Sequence, residues 1–360
     1  MTTRRRFMGG LLAAGSIPTL SWADAGSPAF VAAAQEPGGD YALFGLTAAG
    51  ADCFRVPLPA RGHAAAAHPT QPEVVAFARR PGTYALVIDC ARGVMTRRLD
   101  TPAGREFSGH GAFSLDGDTL FTSEVVAENG EGRIGIWSRG AGYRRTGEIA
   151  SGGIGPHEIR RLPMSETLVV ANGGIRTSPG DREKLNIDTM TPNLTYLRPD
   201  GGILQQISLA PAVHQASIRH LSVTATGLVA FAMQWEGDLG AAPALLGLHR
   251  LNDPAPVLAM APPADHAAMQ GYAGSVAFLD ADRSVAISSP KGGRVQVFDR
   301  DGQYAYTIVR QDVCGLAAIG GALVMTDGFG TIVTAINGVP TSHHRANRAY
   351  DNHLVAVTMV

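Results

Sequence analysis

The chain has 360 residues, with 30 Lys and Arg against 31 Asp and Glu, and 45% of it is hydrophobic. A net charge of −1, with no basic block beyond the first few residues, argues against nucleic acid or anionic lipid as a partner. Three cysteines, Cys53, Cys90 and Cys314, allow at most one disulfide. Cys53 and Cys90 fall in neighbouring predicted strands and are the candidates for it, leaving Cys314 as the free thiol.

Residues 1–25 read as an export signal. Thr3-Arg4-Arg5-Arg6-Phe7-Met8 is followed by a weakly apolar Gly- and Ala-rich stretch, Gly9 to Leu20, and then by Ala23-Asp24-Ala25. A charged start, a short apolar middle and an Ala-x-Ala end mark a cleaved signal, and the arginine pair points to the twin-arginine route. Cleavage after Ala34 is the alternative site. The stretch is shorter than the ~20 apolar residues a stable span needs, and no later window is long enough. The expectation is a periplasmic protein without a membrane span, with residues 26–40 as a linker and 41–360 as one folded unit.

From there the chain repeats. Each unit opens on a small and a polar residue, runs into a short strand, turns at Asp or Gly, and continues into more apolar strands. The first copy passes from Gly62-His63 through Glu73–Ala78 to Tyr84–Asp89. The second opens at Gly109-His110, turns at Asp116-Gly117, and reaches Ile134–Trp137. The third runs from Pro156-His157 through Leu168–Ala171 to Leu194–Leu197, and the fourth from Arg219-His220 through Leu228–Phe231 to Leu245–Leu248. The fifth opens near Ala273-Gly274 and turns at Asp280-Ala281, and the sixth opens at Val313-Cys314. A seventh is split, with Asn352–Val357 at one end of the chain and Tyr41–Leu46 and Asp52–Val56 at the other.

The opening positions lie 47, 47, 63, 54, 40 and 39 residues apart. A period near 40–50 with three or four strands per unit is the signature of a β-propeller. The apolar runs are four to seven residues long and bounded by turn residues, which argues against helices. The prediction is an all-β, seven-bladed β-propeller, closed by pairing of the N- and C-terminal strands so that no sheet edge stays open. The long third interval holds an insertion, Asn172 to Asn193, expected to protrude as a loop.

Aligning the copies places His63, His110, His157, His220, Gly274, Cys314 and His353 at one equivalent point, just before each first strand. First strands of a propeller line its channel, so these residues are expected to ring the channel mouth. Imidazole and thiolate are ligands for copper, iron and zinc, which makes the five histidines and Cys314 a candidate metal site. Glu158, Arg219 and Asp351 sit beside these positions as candidate supporting partners. The competing reading is structural. Gly-His pairs also precede the inner strands of WD-repeat propellers, where the His joins a hydrogen-bond network within its blade. The Trp-Asp partner of that network is missing here, with Trp137 standing alone. Of the remaining histidines, His68, His214, His343 and His344 are expected in solvated loops, and His249 at a strand end. No nucleophile elbow, zincin helix, Cys-x-x-Cys or c-type haem motif is present.

The segments Arg61-Gly62-His63, Val75–Gly82, Gly155-Pro156-His157-Glu158, Ala171–Gly174, Lys184–Met190, Ser217–His220, Ser288–Gly293 and Asp312–Leu316 resemble a bacterial family of twin-arginine-exported proteins grouped as a domain of unknown function. They cover most of the chain beyond the signal. Members tend to be encoded beside imelysin-type lipoproteins and di-haem oxidoreductases of the thiol-oxidoreductase type. The resemblance implies a periplasmic propeller that works with such partners in iron or copper uptake or in redox chemistry. It also implies that the insertion at Lys184 to Met190 is a defined feature.

Three functions therefore compete: a metal-binding or metal-dependent redox protein, a scaffold that binds a partner through the 172–193 loop, and a hydrolase or lyase acting on a sugar or lactone. The last has no acidic residue in the predicted ring. The sequence does not decide whether the protein is an enzyme.

Overall fold

Short apolar runs separated by glycine-, aspartate- and asparagine-rich turns cannot bury both faces of a small sheet unless another sheet covers each side. The computed structural model describes residues 20–80, 82–279 and 282–357. The arginine pair and the apolar stretch to Thr19 lie outside the described residues, as does the turn at Asp280-Ala281. The described chain forms seven antiparallel sheets, six of four strands and one of five. Each innermost strand packs beside those of the neighbouring sheets, which closes a seven-bladed β-propeller.

The innermost strands are Gly62–Ala67, Arg105–Phe113, Pro156–Arg161, Ala216–Val223, Ser275–Leu279 and Val313–Ile319. In the seventh blade the short pieces Ala349–Tyr350 and Val355–Ala356 take this place. Middle strands are buried on both faces, as in Leu168–Asn172, while outermost strands such as Val94–Asp100 face solvent. One apolar cluster fills each gap between adjacent blades, seven in all among the described residues. In one of them Val169 and Tyr196 of the third blade pack on Leu221 and Phe231 of the fourth. Each such side chain contributes about 1.5–3 kcal/mol relative to exposure.

The ring closes as expected, by antiparallel pairing of the two chain ends: Phe30 lies opposite Ala356, Val31 opposite Val355 and Ala34 opposite Tyr350. The linker expectation for residues 26–40 is corrected. Phe30–Gln35 is a buried strand of the seventh blade, paired with Tyr41–Leu46. Ala25 and Trp22 also pack against that blade's core.

Cys53, Cys90 and Cys314 are all free, so the proposed Cys53–Cys90 disulfide is absent. The Cys53 thiol bonds the Gly26 carbonyl, and Cys90 sits in the apolar cluster between the seventh and first blades. The insertion spans 173–192 between strands Leu168–Asn172 and Asn193–Leu197. It is folded on itself. Asn186 accepts from the Arg176 amide and donates to the Gly174 carbonyl, and Ile175 and Met190 are buried.

Candidate metal centre

A strand that alternates strictly would turn only one side of each residue pair toward the channel. A β-bulge breaks that alternation and re-aims a side chain. The register of the innermost strand shifts between Gly62 and Ala65, Phe107 and Gly111, Pro156 and Ile159, Ile218 and His220, and Val313 and Leu316. These are the sites of His63, His110, His157, His220 and Cys314. The innermost strand of the fifth blade is regular, and Gly274 stands just before it. The expected position "before the first strand" is corrected accordingly. The four histidines and Cys314 lie within the innermost strands, and His353 lies between the two short pieces of the seventh blade.

Bulging brings five imidazoles to one place. All five are buried, with exposures of 2–7%. They fill the channel as a layer across it rather than encircling its rim. Ring centroids of His63 lie 4.9 Å from His110, 5.5 Å from His157 and 4.6 Å from His353. Those of His220 lie 4.7 Å from both His157 and His353, and 5.8 Å from His110. Nε2 of His63 and Nε2 of His110 are 3.2 Å apart. These contacts run between blades, unlike the within-blade network of the structural alternative. Gly109 makes room for them: its φ is +98°, and a Cβ there would stand 2.5 Å from His63 Cδ2.

Two triads have ligating atoms within 4.8 Å of one another, His63/His110/His157 and His110/His220/His353, with His110 common to both. An imidazole ligates a metal at about 2.0–2.1 Å, so two tetrahedral nitrogen ligands sit roughly 3.3 Å apart, near the His63–His110 separation. Three ring nitrogens, His63 Nδ1, His157 Nδ1 and His353 Nε2, are buried with no hydrogen-bond partner among the described residues. Each such orphan costs about 1–3 kcal/mol. A bound cation would satisfy such groups, so the donor set fits a metal.

Protonation states agree. Burial, followed by the neighbouring imidazoles, holds His63, His110 and His157 well below the ordinary histidine range and pushes His353 down to about 3. These four rings are therefore neutral at pH 7, as ligation requires. Glu158 is the buried carboxylate of the site. Its Oε2 lies 3.3 Å from His220 Nδ1 and 3.9 Å from His110 Nδ1, and accepts from the Leu221 amide at 3.1 Å. Burial alone would raise its pKa. Arg160, whose Nε donates to Oε1 at 2.6 Å, and His220 outweigh that and hold it at about 2.

Other sequence candidates stand elsewhere. Cys314 belongs to neither triad. Its Sγ lies 3.2 Å from Asn352 Oδ1, and burial raises its pKa. Asp351 bonds Arg61 at 2.5 Å and Arg79 at 3.4 Å, and Arg219 lines a chamber on one side of the imidazole layer. Three minor expectations are also corrected. His68 is buried on Phe113, with Nδ1 accepting from the Thr70 and Gln71 amides. His343 and His344 lie on an outermost strand, Val339–Arg345, and not in a loop. Neither the role of Arg160 nor the bulges is among the expectations above. A charged residue two places after Glu158, on the same strand face, was the available signal for the former.

Fold and site together define a seven-bladed β-propeller with a histidine-filled channel. The chain belongs to the family described as "Protein of unknown function (DUF1513)", which it matches over residues 56–357. Comparison with curated proteins found no match. Among solved structures, the chain is similar to Kuenenia stuttgartiensis hydrazine synthase, with a TM-score of 0.60 and 14% identity, over 84% of this chain and 90% of that one. At that identity the likeness is one of fold.

Proposed function

We propose that this is an exported periplasmic protein that holds a transition-metal ion in its channel through imidazoles of His63, His110, His157, His220 and His353, and serves metal uptake or redox chemistry. The observation that carries this reading is the convergence of five buried imidazoles with three unpartnered ring nitrogens. All-imidazole donor sets suit copper, iron and zinc. Glu158 orients His220 and offsets the charge of a bound cation. Cys314 stays outside the ligand set. The twin-arginine pattern at Thr3–Met8 supports export of an already folded protein, and the resemblance noted above points to imelysin-like and di-haem oxidoreductase proteins as partners.

The test is thermal unfolding of chelator-stripped protein with added Zn²⁺ or Cu²⁺. A ligand at 100 times its Kd stabilises by about 2.7 kcal/mol, so Tm should rise and saturate. No shift with any of these ions, or with Fe²⁺, would count against the reading.

A further inference from the structure

The imidazole layer divides the channel into two unlike compartments. On one side is a space of about 30 Å³, reached by His110, His220, His353 and Glu158. On the other is a chamber of about 170 Å³ whose walls include His63, His157 and His220. That chamber is smaller than the 300–1,000 Å³ typical of sites for drug-sized ligands.

Five cations line the larger chamber: Arg79, Arg80, Arg182, Lys184 and Arg219. Arg79 and Arg80 come from the first blade and Arg219 from the fourth. Arg182 and Lys184 come from the exposed 173–192 insertion, which carries them over the channel. Three carboxylates answer them. Glu236 bonds Lys184 and lies 3.9 Å from Arg219. Asp351 lies 3.4 Å from Arg79 but is shared with Arg61. Glu106 acts on Arg80 only at longer range and accepts from the Gly180 amide. Among the described residues neither Arg80 nor Arg182 forms an ion pair. Arg219 is 4% exposed, and its Nε is buried without a hydrogen-bond partner. Burial, and then the charges of Arg219 and Arg182, push Arg80 down to about 9.

Cations crowded against one another in a part-buried chamber repel unless an anion joins them. Guanidinium forks match carboxylate and phosphate oxygens in pairs. We infer that this chamber binds a small multivalent oxyanion, carboxylate or phosphate in type, held by Arg80, Arg182, Lys184 and Arg219 against the imidazole layer. The site stands whether or not the histidines carry a metal. If they do, the anion sits beside it, and a free divalent cation is repelled from this side. The insertion is then a binding element that completes the chamber.

The experiment is isothermal titration of metal-free full-chain protein at low ionic strength, with inorganic phosphate in one arm and citrate in the other. At least one anion should bind saturably at one site and bind less tightly as salt is added. The double variant Arg182→Ala/Lys184→Ala, on an exposed loop, should weaken binding by about tenfold or more, and Arg219→Gln should weaken it further. Thermal melts of each variant report folding, and the loop variant decides if Arg219→Gln does not fold. No saturable binding of either anion to folded wild-type protein overturns the inference, as does unchanged affinity in the loop variant. Because the protein is stripped of metal, neither result depends on the outcome for the histidines.

Discussion

His220 Nδ1 lies 3.3 Å from Glu158 Oε2, across the boundary between the fourth and third blades. The ionised carboxylate can only accept, so Nδ1–H of His220 donates to it and Nε2 is the ring nitrogen turned to other partners. The same oxygen is 3.9 Å from His110 Nδ1, beyond hydrogen-bond reach, so the carboxylate sets the tautomer of His220 alone.

Replacing Glu158 by Gln therefore keeps the shape and removes the charge. Gln retains an oxygen for the Leu221 amide, so the fold should persist. Metal affinity should fall by about 10–100-fold, as is usual when a carboxylate behind a ligating histidine is lost. Titration of the stripped variant with Zn²⁺ checks this, and an unchanged Kd would remove Glu158 from the site.

His110 is common to both triads, whereas His157 belongs to one. His110→Ala should weaken binding at least about tenfold more than His157→Ala, which leaves His110, His220 and His353 intact. Equal losses would mean that the triads do not share a ligand.

His68 offers a pH test away from the centre. Burial, and then Arg139, lower its pKa below the usual 6.5, and its Nδ1 lone pair accepts two backbone amides. A histidine whose folded pKa lies below its unfolded value leaves stability complete above about pH 6.5 and subtracts from it as pH falls further, because the unfolded chain takes up the proton first. His68→Asn keeps an acceptor in place and cannot titrate. The fall in Tm between pH 7.5 and pH 5, both roughly one unit or more from the ordinary histidine pKa, should be smaller in the variant than in the wild type. Identical falls would show that His68 does not carry the effect.

The propeller was legible because the opening positions recur at intervals of 39 to 63 residues and the apolar runs are too short for helices. Phe30–Gln35 escaped notice because three alanines in six residues lack the β-branched signature of a strand. What could not be read was how the rings meet. Alternation alone would not turn His63 and Glu158 both to useful places. The bulges do, and a bulge leaves little trace in sequence beyond a neighbouring glycine such as Gly62 or Gly109. Cys314 shows the converse. It sits at an equivalent bulge, yet its thiol bonds Asn352 and stays out of both triads. Arg182 and Lys184 fall in the insertion expected to protrude, and only its folding brings them beside Arg80 and Arg219.

Elemental analysis of protein exported natively and purified without added metal tests the central claim most directly. The account predicts a stoichiometric transition metal, copper, iron or zinc, in the wild type and its loss from folded His110→Ala. Natively exported, folded wild-type protein that carries no such metal would contradict it, as would full retention of the metal by His110→Ala.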